Sequence, residues 1–165
     1  MGARYWELVL KTPIVRETLN KALRAQSFSR IKFYEKGPVP GWFNHHTREL
    51  HIVKELPNKQ PLGYEVAGLA HELIHSLQNL KLPLTDDELI EAESEAYRVQ
   101  FQALCQLPKS SYKSENKTEE SACKKHVKNY KRHGRQYAHD WAEFLVLKQR
   151  GTKEGKELMV MFDRY

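Results

Sequence analysis

The chain has 165 residues, of which 40% are apolar and 29% charged, and a formal net charge of +6. That is about one domain's worth of material with enough apolar side chains for a core, which excludes a disordered chain. No apolar run approaches the ~18–20 residues that a membrane-spanning helix needs, which excludes a helical transmembrane protein, and two cysteines, Cys105 and Cys123, are too few for a disulfide scaffold.

At the N-terminus Arg4 and Glu7 interrupt any signal-like apolar region, and Trp6 stands where an N-myristoylation signal has Ser or Thr. A cytoplasmic protein with two free thiols is the expectation. After Thr12-Pro13, Ile14, Thr18, Leu19, Ala22 and Leu23 recur at helical spacing and predict a helix over 14–26. Arg30–Glu35 alternates as a strand does, Gly37–Gly41 is a turn cluster, and Trp42–Asn44 and Glu49–Glu55 are further strands. Val66, Leu69, Ala70, Leu73, Leu77 and Leu80 form one apolar stripe, so a helix is predicted over Tyr64–Leu80, broken by Pro83. Thr85-Asp86-Asp87-Glu88 reads as a capping box opening a helix that runs to about Leu107. Residues 108–121 are polar and read as a long surface loop. Then come a helix over about 119–150, bent or divided at Gly134, and a short one over 153–163. A helix, short strands and then helices argue for a single α+β domain over 1–165 rather than alternating βαβ units.

The chemistry is concentrated in His71-Glu72-Leu73-Ile74-His75. On a helix, residues four apart share a face, so His71 and His75 can offer two imidazole nitrogens to one ion, with Glu72 beside it. Two imidazoles and a carboxylate that can deprotonate a bound water suit one Zn²⁺ per chain, and such a site needs a third protein ligand. Between Val66 and Leu80 the only charged side chain is Glu72, and polar groups on so apolar a helix need a partner. Downstream, Glu88, Glu91 and Glu95 share one helical face and Glu93 is expected to point away. Three carboxylates in a stripe repel unless something positive faces them, and a zinc with its two imidazoles is such a partner.

These residues resemble the gluzincin branch of the zincin zinc metallopeptidases, in which a Glu about twenty residues beyond the second His completes the site. Glu95 is twenty residues beyond His75. The resemblance implies Glu95 as third ligand, with Glu91 as the alternative and Glu95 then the acid orienting an imidazole. Glu93-Ser-Glu95-Ala96-Tyr97-Arg98-Val99, ending at Leu107-Pro108, is also similar to the Glu-x-x-Ala-Asn-x-Phe-Ala helix of the small ImmA/IrrE-like peptidases. That likeness covers about residues 14–108 and implies a small zincin-like domain. Its parts are an N-terminal helix and short sheet, then the HExxH helix, a Glu-bearing helix and C-terminal helices.

The resemblance implies peptide-bond hydrolysis with Glu72 as general base. The strand over 49–55 would be the edge on which an extended peptide or protein substrate pairs. Tyr97, His133, Tyr137 and His139 are candidates for the oxyanion donor, with Tyr137 and Trp141 also reading as core. His45, His46 and His51 read as surface residues. Residues 108–137 hold nine basic and three acidic side chains, the whole net charge of the chain. Lys124, Lys128, Lys131, Arg132 and Arg135 fall near one helical face that suits a nucleic acid or an acidic protein. The alternative to the peptidase is therefore a basic binding module on a catalytically inactive zincin fold.

Overall fold

The computed structural model describes residues 3–36, 41–55, 61–78, 80, 84–149 and 151. The predicted turn 37–40, Pro83 and the predicted helix 153–163 lie outside them. The chain opens with a helix absent from the sequence expectation, α1 (Ala3–Lys11), which buries Tyr5, Leu8 and Val9. Thr12 is extended, and Pro13 then occupies the first turn of α2 (Pro13–Arg24), where a missing N–H costs nothing.

Three strands follow: β1 (Arg30–Lys36), β2 (Gly41–Asn44) and β3 (Glu49–Glu55). Their order is β1-β3-β2, with β1 parallel and β2 antiparallel to β3. The strand over 49–55 is thus the middle one, paired on both sides, and β2 is an outer strand. Gly41 is required where β2 meets β3, because a Cβ there would lie 2.5 Å from the His51 carbonyl oxygen. Alternation sends Leu50 and Ile52 into the core and Glu49 and His51 to the other face. His51, expected at the surface, is nevertheless buried. The flanking strands cover it: its ring stacks on Trp42 at 4.5 Å and on Tyr34 at 5.4 Å, ring centre to ring centre.

Helix α3 (Leu62–Leu77) carries the HExxH segment and touches α1, α2, β2 and β3. Apolar residues around most of its circumference explain that central position: Val66, Ala67, Leu69, Ala70 and Leu73 are all buried. It ends three residues earlier than its apolar stripe, because Gln78 turns to extended backbone. Helix α4 (Asp86–Gln106) packs across it and starts at the predicted capping box, with Thr85 and Glu88 exchanging both hydrogen bonds.

The stretch 108–121 is not one long loop. Lys109–Tyr112 forms a 3₁₀ turn in which Ser111 and Tyr112 are buried, and the Tyr112 hydroxyl donates to the carbonyls of Leu104 and Leu107. Asn116 then caps α5 (Lys117–His133) by accepting from the N–H groups of Thr118 and Glu119. Gly134, at φ 57°, divides α5 from α6 (Arg135–Gln149). One apolar core joins residues from Tyr5 to Phe144. Both cysteines are free. No helix among the described residues is long and apolar enough to cross a membrane.

Candidate metal centre

One helical turn separates His71 from His75, and α3 presents both rings to α4. Their Nε2 atoms lie 3.0 Å apart. Glu93 of α4 completes the cluster, with Oε2 3.4 Å from His71 Nε2 and Oε1 3.4 Å from His75 Nε2. Tetrahedral bonds of ~2.0–2.1 Å to one zinc would hold ligand atoms ~3.3 Å apart. The two imidazole nitrogens are near that spacing, while the Glu93 contacts run to its two different oxygens, so the carboxylate would have to turn to offer one oxygen to a shared ion. Gln78 prepares His75 from the end of the same helix. Its amide nitrogen donates to the Ala92 carbonyl at 2.8 Å, which turns Oε1 to accept from His75 Nδ1–H, also at 2.8 Å. That tautomer leaves the Nε2 lone pair for a metal. The Nδ1 of His71 is buried with no hydrogen-bond partner among the described residues.

Glu93 stands where Glu95 was expected. Glu95 instead forks onto Arg98 at 2.7 and 2.5 Å, and Glu91 is exposed. The reason is the phase of α4. Ala92, Ala96, Val99 and Gln100 are buried, which carries positions 93 and 97 toward α3 and leaves 88, 91 and 95 facing outward. A usable signal was present: the Glu-x-x-Ala likeness begins at Glu93, not at Glu95.

The cluster opens into a cleft of about 360 Å³ walled by β2, α3, α4 and α6. Glu72 lines it from α3, Trp42 and Phe43 from β2, and Tyr97 from α4 with its ring 4.5 Å from that of His71. Tyr97 is thus the one oxyanion candidate set in the cleft wall. Tyr137 is buried with its hydroxyl 2.9 Å from His126 Nδ1, His139 is exposed beside Asp140, and neither His133 nor His139 lines the cleft. His45, expected at the surface, turns into the cleft, its ring 6.4 Å from that of His75. Asn44 Oδ1 accepts from the N–H groups of His46 and Thr47, both at 3.0 Å, and this Asx turn re-aims the residue between them.

Burial and charge shape the acid–base properties. Burial pushes the Glu72 carboxyl above its ordinary range, against the opposing charges of His71 and His75. Burial acts in the same sense on Glu93, but hydrogen bonds and charge from His71 and His75 outweigh it and hold that carboxyl well below the usual range. His75 is raised: burial opposes its charged form, and Glu93 more than compensates. Burial also raises the Tyr97 phenol well above its ordinary value.

No family model, curated protein or solved structure matches this chain. The chemistry of the site therefore rests on its own residues.

The basic residues sit apart from the cleft walls. Lys124, Lys128, Lys131 and Arg132 are exposed on α5, while Arg135 opens α6 beyond the Gly134 turn and so leaves that helical face. Lys124 pairs with Glu120 at 2.5 Å. No described acid lies within ion-pair distance of Lys128, Lys131 or Arg132.

Proposed function

We propose that the chain is a zinc-dependent peptidase. The observation that carries this reading is the convergence of His71, His75 and Glu93 from two helices, their ligand atoms all within 4.8 Å of one another, at the floor of an open cleft that also holds Glu72. A zinc held by these three residues would polarise a peptide carbonyl and lower the pKa of a water toward ~7.

The chain's own groups supply the rest. Glu72, whose basicity burial strengthens, takes the proton of the attacking water and returns it to the leaving amine. The Tyr97 phenol stays protonated, and as a residue of the cleft wall it is the candidate donor to charge developing on the carbonyl oxygen. Strand β2 pairs with β3 on one side only among the described residues, so its other edge offers backbone groups to an extended peptide. This role falls to β2 rather than to 49–55.

The test is elemental analysis paired with hydrolysis of internally quenched peptides. The wild type should carry about one zinc per chain. His75→Ala should lose it, and Glu72→Gln should keep it while losing cleavage. A wild-type protein that takes up no zinc, or a Glu72→Gln variant that cleaves at the wild-type rate, overturns the reading.

The exposed cations of α5 favour a second role, recruitment of an acidic partner, nucleic acid or protein. Charge reversal at Lys128, Lys131 and Arg132 should abolish salt-sensitive binding without changing zinc content.

A further inference from the structure

A second cavity, about 340 Å³, adjoins the cleft on the His75 side. The two share Phe43, His45 and Leu80, and Ser76, Leu77 and Gln78, which follow His75 directly, line the second. Its walls carry apolar surface from Ala25, Leu77 and Leu80, one cation, Arg48, and no carboxylate among the described residues.

Arg48 is held in place rather than free. Its Nε donates to the Ser27 carbonyl at 3.3 Å and its Nη2 to the Gln26 carbonyl. No described residue bonds Nη1. Both Arg48 and Gln26 adopt the left-handed backbone region, at φ 54° and 48°. Non-glycine residues enter that region rarely, and such strain persists where the surrounding structure enforces it, often at ligand clamps. The result is a tethered guanidinium at the wall of a cavity that has no carboxylate among its described residues and adjoins the cleft holding His75.

We propose that this cavity is a substrate subsite and that Arg48 pairs there with a carboxylate, so the enzyme selects an acidic group next to the scissile bond. The proposal rests on the peptidase reading. The carboxylate comes either from an Asp or Glu side chain or from the chain end of the substrate. A guanidinium suits both, because its planar fork matches a carboxylate.

The experiment uses the zinc-loaded full chain and quenched peptides in matched pairs, Glu against Gln scanned through each position and free C-terminal acid against amide. The wild type should favour the acid about tenfold in kcat/KM at one position or at the chain end, as a solvent-facing charge-assisted hydrogen bond allows. Which pair discriminates identifies the source. Arg48→Met should bring that ratio to about one, and Arg48→Glu should invert it toward a basic residue. A ratio measured within one variant is unaffected by how much of that variant folds. As a check free of any variant, raising ionic strength should shrink the wild-type ratio. Cleavage with no acid preference, or a preference unchanged in Arg48→Met, overturns the subsite and leaves the peptidase standing. Absence of both zinc and cleavage overturns both.

Discussion

Gln78 grips His75 from the residue that ends their common helix, with 2.8 Å between His75 Nδ1 and Gln78 Oε1. The bond fixes both the ring orientation and the tautomer, and the Ala92 carbonyl on α4 fixes Gln78 in turn. Partners of this kind typically change metal affinity 10–100-fold. Gln78→Leu should therefore weaken zinc by about that factor in competition with a chromogenic chelator. Gln78→Glu keeps the acceptor for His75 but loses the donor to the Ala92 carbonyl, so it should fall between Gln78→Leu and the wild type.

Glu93 and Glu95 lie two positions apart on α4 but face different partners, His71 and His75 for the first and Arg98 for the second. Glu93→Ala should reduce bound zinc to a small fraction of that in the wild type, because two imidazoles alone make an incomplete cage. Glu95→Ala removes a surface fork onto Arg98, whose carboxylate partner is 47% exposed. That change should cost no more than about 1 kcal/mol in urea unfolding and leave zinc content intact. The reverse pattern would return the third-ligand role to Glu95.

Much of this arrangement is legible in the chain because it obeys local rules. The Thr85–Glu88 capping box, the three strands and the HExxH helix each follow from spacing within a few residues, and all of them are present. The misreadings have a common origin in packing between elements. Glu88, Glu91 and Glu95 form a regular stripe, but regularity does not say which side of α4 meets α3; the small buried residues Ala92 and Ala96 decide it. His51 alternates outward as a strand residue should, yet Trp42 and Tyr34 from neighbouring strands close over it. Tyr112 lies in a polar stretch that reads as loop, and its hydroxyl is claimed by carbonyls at the end of α4. Helix α1 has its own apolar face, Tyr5-Leu8-Val9, too short a pattern for spacing alone to announce a helix.

Gly63 marks a close approach that no spacing rule announces. A Cβ at this position would lie 2.5 Å from Ser111 Oγ and 3.1 Å from the Ser111 backbone oxygen. Alanine would favour the helix by about 1 kcal/mol on propensity, but the buried 3₁₀ turn must move to admit it. Overpacking of this kind costs about 1–3 kcal/mol, so Gly63→Ala should be net destabilising in denaturant unfolding. Ser111→Ala removes the nearest atom and leaves the backbone contact. A double-mutant cycle should therefore show positive coupling with incomplete rescue.

The last prediction concerns His126, enclosed by Phe101 at 5.0 Å and Trp141 at 4.7 Å between ring centres. Burial, assisted by the charge of Lys125, lowers its pKa to about 4. In the unfolded chain an imidazole titrates near ~6.5. Between those values the unfolded state binds the extra proton, so folding stability rises with pH across this window and is lost as pH falls through it. The full contribution is present above ~6.5, and about 3 kcal/mol of it is gone by pH ~4. His126→Phe keeps a ring between Phe101 and Trp141 but cannot titrate. It leaves the Tyr137 hydroxyl without its 2.9 Å partner at Nδ1, a cost that does not depend on pH in this range. Urea midpoints measured from pH 7 down to pH 4 should therefore fall more steeply in the wild type than in His126→Phe. Parallel curves would mean that His126 carries the same proton in both states, and the buried neutral imidazole would have to be given up.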